Sequence, residues 1–183
     1  MKEFRVCLIT MILTAIYLSA TVGISNLLFS YQANGSLIKQ NKITLGSKLI
    51  GQNFTNKRFF QGRISQNNYK NDLSGNSNYP YYSMELISSI NRNLLEFKKV
   101  NKNGFPSLNL ITESASGLDP DITYAGALNQ LERISYSGRL KKNQIIQIID
   151  FKARPRILGL FGEKIVNVLE LNIELQKLYA KAT

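Results

Sequence analysis

The sequence predicts an α+β protein: one N-terminal transmembrane helix within residues 1–30, then one compact mixed domain over residues 31–183. Three observations predict it. No charged residue lies between Arg5 and Lys39, so an apolar segment of spanning length opens the chain. Beyond it, glycine-punctuated β-type segments and helical stripes follow one another without regular alternation, the pattern of an α+β chain. The remaining length suits one domain and is cramped for two.

The strongly apolar part runs from about Val6 to Phe29. At 1.5 Å per residue it makes a helix of about 36 Å, enough to span a bilayer with some tilt. The rival is a cleavable signal peptide with Leu18-Ser19-Ala20 as a weak cleavage site, although such apolar regions usually run about 7–15 residues. Lys2 and Arg5 precede the span, which predicts a cytoplasmic N-terminus and an extracytoplasmic domain. Ala15, Ser19 and Gly23 recur every four residues, with Asn26 one turn further on. Small residues let helix backbones approach and polar ones bond across the contact, so this face is expected to pack on partner helices. Chance is the alternative, since small residues are common in such spans.

The soluble part reads as follows. Gln32 to Ile38 is a turn at Gly35 leading into a strand. Lys48–Phe54 and Arg58–Arg63 read as short strands. Residues 66–82, rich in Asn, Ser, Gly and Tyr, form a long polar loop. A helix starts near Ser83, carries Leu86, Ile90, Leu94 and Phe97 on one face, and ends by Asn103-Gly104 and Pro106. Leu108–Thr112 reads as a strand. Asp119-Pro120 is a helix start with Asp119 as N-cap, and that helix runs to about Ser135. Another covers about Asn143 to Lys152. Ile165 to Leu169 reads as a strand. The alternation of Leu169, Leu171, Ile173 and Leu175 would extend it equally well, but the Val168, Leu171, Leu175, Leu178 stripe favours helix beyond Glu170.

Composition narrows the function. The net charge is +11, which invites an anionic partner. The bases are nevertheless dispersed, no run forms a nucleic-acid arm, and the richness in Asn, Lys, Ile and Tyr fits a codon bias. Histidine is absent and Cys7 is the single cysteine. That removes imidazole bases, most zinc sites and any internal disulfide. No Gly-rich phosphate loop ending in lysine occurs. Asp119 and Asp121 lie two apart without companion ligands, so capping is the plainer reading than metal binding. Glu170 and Glu174 read as a solvated helix face. Ser114 and Ser116 have only lysine available as a base and read as loop residues shaping a helix N-terminus. Asn34-Gly35-Ser36 and Asn53-Phe54-Thr55 match the glycosylation sequon, a frequent chance pattern.

Ordered blocks add a resemblance. Gln32-Ala33-Asn34-Gly35-Ser36-Leu37, Gly46 to Phe54, Phe60-Gln61-Gly62-Arg63 and Ser74-Gly75-Asn76-Ser77-Asn78 come first. Ser114 to Pro120 follows, with Gln130 and Arg133, then Gly162 and Val166-Asn167-Val168-Leu169-Glu170-Leu171-Asn172. In this order they resemble the C subunit of the Kdp potassium-transporting ATPase. The departures are Ile64, Glu132 and Lys164, where that family usually has proline, Asn76 for glycine and Gln176 for aspartate.

The resemblance implies a non-catalytic subunit of an ATP-driven potassium importer in the bacterial inner membrane. Its implied partners are a potassium channel-like subunit and a P-type ATPase subunit. Its implied role is assembly and a "catalytic chaperone" effect that raises the ATPase's affinity for ATP. ATP is then a ligand of the complex rather than an autonomous cofactor, and nucleic acid is no partner. Ser116, Gly117, Asp119, Gln130 and Arg133 are expected to form a partner- or ligand-facing surface. The alternatives are a stand-alone membrane-anchored sensor or binding module and, less in keeping with the missing histidine, a serine–lysine hydrolase.

Overall fold

A computed structural model describes residues 1–101 and 106–182 of the chain. The architecture is α+β: one long apolar helix, then helices mixed with small sheets. The residues form two compact units, Met1–Ser47 and Lys48–Thr183.

In the first unit, α1 (Lys2–Leu28) has no buried residue. Among the described residues it is the one helix long and apolar enough to cross a membrane. Its polar side chains turn back onto its own carbonyls: Thr10 donates to Val6, Thr14 to Thr10, Thr21 to Tyr17 and Asn26 to Val22, at 2.8–2.9 Å. Lipid favours this arrangement, because it offers a polar group no water. A single turn, α2 (Ser30–Ala33), leads to a hairpin of β1 (Leu37–Gln40) and β2 (Ile43–Ser47). β1 matches the expected strand; β2 does not figure in the sequence reading. Its turn residues Asn41 and Lys42 have φ of +49° and +66°, a conformation whose twist suits a two-residue hairpin. Lysine in place of the usual glycine hides that signal.

The second unit carries α3 (Met84–Val100), a 3-10 turn at Leu108–Leu110, β3 (Asp121–Thr123), α4 (Tyr124–Asn129), α5 (Leu131–Gly138), α6 (Lys142–Lys152), β4 (Ile165–Asn167) and α7 (Val168–Ala182). β3 and β4 pair antiparallel, Ile122 opposite Val166, and each runs directly into a helix. Those two residues are fully buried with Phe60, Ile134, Ile145, Ile149, Leu171 and Leu175. Truncating one such core side chain typically costs about 2–5 kcal/mol.

Several expectations hold. The Ser83 hydroxyl accepts the Leu86 N–H at 3.1 Å and starts α3; such a cap is worth about 1 kcal/mol. α3 ends at Val100 with Asn101 as its C-cap, while the expected stop at Asn103-Gly104 lies outside the described residues. α6 and β4 fall where periodicity puts them, and residues 66–82 contain no helix or strand. Beyond β4 the helix prevails over a longer strand because Asn167 caps it, accepting the Glu170 N–H at 3.1 Å.

Five expectations are corrected. Lys48–Phe54 and Arg58–Arg63 are not strands: among the described residues no strand pairs with them, and their backbone groups bond side chains, as those of Phe60 and Gln61 do, or a distant loop, as the Gly51 N–H does at the Leu118 carbonyl. Leu108–Thr112 is no strand either. The Ile111 and Thr112 N–H groups both reach the Leu108 carbonyl, and Leu110 is buried. Asp119 does not cap a helix. Its carboxylate accepts the Asp121 N–H at 3.0 Å, because residues 121–123 pair with β4. Thr123 is the cap, accepting the Gly126 N–H at 3.0 Å. The helix expected to run to Ser135 is interrupted at Gln130, where the backbone tightens to bond Ala127 at 3.1 Å.

Glu170 and Glu174 are not merely solvated. Glu170 pairs with Lys48 at 3.0 Å, and Glu174 with Lys152 at 3.4 Å and Lys177 at 3.0 Å.

Candidate functional site

Two polar clusters share one strip of backbone, Lys57–Arg63. At its first end, five consecutive carbonyls each accept a hydrogen bond from a side chain. Arg133 donates to the carbonyls of Lys57 and, at 2.9 Å, Phe59. Tyr179 donates to Arg58 at 2.7 Å, Asn172 to Phe60 at 2.9 Å and Gln130 to Gln61 at 3.0 Å. Asn172 and Gln130 also accept the Phe60 and Gln61 N–H groups, at 2.7 and 2.8 Å. The two amides thus do what a neighbouring strand would do, bonding both the N–H and the carbonyl of one residue. This satisfies a buried backbone that has no ladder.

Helix geometry sets these side chains. Gln130 stands at the break between α4 and α5, and Arg133 lies three residues on, so both face the strip. They also touch each other: an Arg133 terminal nitrogen donates to Gln130 Oε1 at 2.6 Å, and Arg133 Nε donates to Asn101 Oδ1 at 2.8 Å. Burial pushes the Arg133 guanidinium down to about 10, with Tyr179 opposing the shift, so it stays charged at neutral pH. Gln130 is 1% exposed and Arg133 6%. In this chain they belong to the interior, not to the partner-facing surface expected of them.

The second cluster gathers Ser116, Gly117 and Asp119 around the far end of the strip. Arg63 pairs with Asp119 at 3.0 Å and donates to the Glu113 carbonyl at 2.9 Å, while its Nε is buried without a partner. The loop 114–119 is tied on three sides. Ser114 N–H bonds the Ile64 carbonyl at 2.9 Å, Gly51 N–H the Leu118 carbonyl at 2.8 Å, and Gly75 N–H the Ser116 carbonyl at 2.9 Å. Ser116 is exposed. Gly117 has φ +70°, and a Cβ there would lie 2.8 Å from both Asn67 Oδ1 and the Gly75 carbonyl; no other residue fits without displacing the loop. Ser114 and Ser116 hydroxyls accept the Asp119 and Leu118 N–H groups at 3.3 and 3.1 Å, a loop-shaping use rather than a nucleophilic one. A shallow cleft of about 440 Å³ runs between Leu49, Ile50, Arg63, Ser116 and Pro120.

Tyr69 lies against this cluster and donates to the Arg63 carbonyl. Burial, and secondarily the Asp119 charge, push its phenol up to about 12, with Arg63 acting the other way. An acid whose folded pKa is raised stabilises fully below its unfolded value of 10 and loses that contribution as pH rises through 12. The stabilisation that Tyr69 contributes is therefore expected to be lost between pH 10 and 12. Denaturation of Tyr69→Phe should show a smaller loss over that window, although the variant is less stable at pH 8 for want of the hydrogen bond.

Of the five expected site residues, the structure thus brings Ser116, Gly117 and Asp119 into one loop cluster and Gln130 with Arg133 into another. Asn172, Asn167, Asn101, Tyr69 and Tyr179 do comparable work and were missed as site candidates. An amide inside the apolar stripe of α7 was the available signal for Asn172, since a buried amide in a helix needs a partner from elsewhere. Asn167 donates to the Lys48 carbonyl at 2.9 Å as well as capping α7. The departures at the usual prolines are tolerated. Glu132 lies in the first turn of α5 and pairs with Lys142 at 2.9 Å, a position where proline and other residues both fit. Ile64 bridges to Glu113. Asn76 Oδ1 accepts the Asn78 N–H at 2.9 Å, and Gln176 is exposed.

Along the α1 face, Ala15, Ser19, Gly23 and Asn26 are all exposed, and a Cβ at Gly23 would meet nothing within 4 Å.

Comparison with known proteins agrees with the ordered blocks. The family model described as "KdpC: K+-transporting ATPase, c chain" matches residues 1–177. A potassium-transporting ATPase KdpC subunit of Bacillus cereus is 43% identical over 168 residues, covering 89% of this chain and 86% of the relative. The protein of the same name from Bacillus mycoides is 42% identical over 168 residues, with the same coverage of each chain. That from Bacillus thuringiensis is 42% identical over 171 residues, again covering 89% and 86%. With nearly its whole length matched, the chain belongs to the KdpC family, the c chain of the K+-transporting ATPase.

Proposed function

We propose that this chain is a non-catalytic subunit of a bacterial, ATP-driven potassium importer, working with a potassium channel-like subunit and a P-type ATPase subunit. The family match over residues 1–177 carries this reading. Its finer part is that the subunit holds the complex together and raises the ATPase's affinity for ATP. The polar clusters suit that work: their side chains are spent on fixing backbone, as in a rigid docking body, rather than on poising a nucleophile and base. The loop at Ser116, Gly117 and Asp119 is the partner-facing part, and Gln130 with Arg133 supports it from beneath by holding Lys57–Gln61 in place. ATP enters as a ligand of the assembled complex.

The anchor, in this reading, is retained in the inner membrane with Lys2 and Arg5 on the cytoplasmic side and the soluble part outside. Its Ala15, Ser19, Gly23, Asn26 face packs on partner helices. Gly23→Leu tests that contact, because open space surrounds Gly23 within the chain and the added bulk is felt only by a neighbour. Tagged wild-type chain should co-purify with the two partner subunits, and Gly23→Leu should retain at least fivefold less of them. If the wild-type chain purifies alone, it is a stand-alone module and the reading fails. Equal retention of the mutant would make the stripe incidental.

A further inference from the structure

Arg133 is a buried cation whose partners carry no charge. It donates to the carbonyls of Lys57 and Phe59 and to the side-chain oxygens of Asn101 and Gln130. Among the described residues no carboxylate pairs with it, and none pairs with Lys57. Buried charges are ordinarily neutralised by a partner as well as hydrogen-bonded. Here the hydrogen bonds are complete and the charge is left over.

Arg133 and Lys57 both line an open cavity of about 740 Å³ between the Lys57 strip, the end of α3, α5 and the start of α6. Lys99 and Lys142 line it too, so four cations face one carboxylate, Glu132. Lys142 pairs with Glu132 at 2.9 Å, and Lys99 with Glu96 at 2.6 Å. Each side chain of these two pairs is at least 44% exposed. Such exposed pairs add little, so both lysines can turn to a stronger anion.

The available donors decide which kind of anion fits. A carboxylate is best met by the planar fork of an arginine, but the Arg133 fork is already spent on the interior. What remains is lysine, a point charge with rotatable donors that suits the rounder phosphoryl group. The side-chain hydroxyls of Tyr136 and Ser137 also line the cavity and make no hydrogen bond among the described residues. They add donors for phosphoryl oxygens. The volume exceeds what one phosphoryl group fills, which leaves room for the molecule that carries it.

We propose that this cavity binds a phosphoryl group, carried on an anionic lipid headgroup or free in solution. The test acylates the lysines of the full wild-type chain with a limiting reagent and reads each position by mass spectrometry. The chain is held in phosphatidylcholine nanodiscs with inorganic phosphate or with sodium chloride of equal ionic strength, and then in nanodiscs containing phosphatidylglycerol. Lys70, exposed and outside the cavity, is the reference. Relative to Lys70, Lys57 and Lys99 should be labelled at least fivefold more slowly when the anion is bound in excess of its dissociation constant. Protection by inorganic phosphate shows that the free anion suffices, and protection by phosphatidylglycerol alone assigns the headgroup. Equal slowing at Lys70 would show charge screening only and would overturn the proposal, as would no protection in either condition. Lys57→Gln combined with Lys142→Gln changes two exposed side chains. That variant should unfold at the wild-type temperature and lose the protection at Lys99; protection that persists would also overturn the site.

Discussion

Replacing Arg133 by alanine is expected to destabilise the second unit by about 3–5 kcal/mol, since each buried acceptor left unpaired costs about 1–3 kcal/mol. The reason is how many groups depend on it. Arg133 serves the carbonyls of Lys57 and Phe59 and the side-chain oxygens of Asn101 and Gln130. Their desolvation is not recovered when the guanidinium is gone. Lysine at this position keeps the charge but not the planar fork that reaches several acceptors at once, so Arg133→Lys should still lose about 2 kcal/mol. Chemical denaturation followed by tyrosine fluorescence measures this directly, as the chain has nine tyrosines and no tryptophan. A loss below about 1 kcal/mol would mean that the clamp on Lys57–Gln61 is dispensable. The pH dependence has a definite sign. Burial lowers the Arg133 pKa to about 10, so the folded state releases this proton first and the group adds stability as pH rises above about 10. Tyr69 acts oppositely over nearly the same window. Alkaline denaturation of Arg133→Ala should therefore be steeper than that of the wild type.

Withdrawing the subunit from its complex is expected to have the largest effect on function. On the proposed role, ATP affinity of the remaining ATPase complex falls by at least fivefold, the lower end of typical coupling between sites, and a deletion strain fails to grow when potassium is limiting. Coupling between ligands is reciprocal, so ATP should strengthen the hold of this chain on the complex by the same factor as the chain strengthens ATP. Measuring both affinities checks the thermodynamic cycle and does not require knowing where ATP sits. Unchanged ATP affinity together with normal growth at low potassium would sink the chaperone role. Unequal factors would show that the two measurements report different assembly states.

The parts of this protein that its sequence alone determined are those whose forces are local. The apolar run of α1 needs no partner to be read, because its length and lack of charge suffice in lipid. Ser83 before an amphipathic stripe marks α3, and the stripes mark α6 and α7. The ordered blocks carried the family. What only the tertiary structure decided is where backbone polar groups find partners far along the chain. Phe60-Gln61-Gly62-Arg63 reads as a strand because aromatic and glycine residues bracket it, yet its bonds go to Asn172 and Gln130, 112 and 69 residues away. Asp119-Pro120 is a fair local helix start, but pairing of Asp121–Thr123 with Ile165–Asn167 outweighs one cap. The same rule moved Gln130 and Arg133 from an expected surface to the interior. A polar side chain in a sequence gives no sign of which side of the core it faces, and a buried one is tolerated only when distant carbonyls and N–H groups complete its hydrogen bonds.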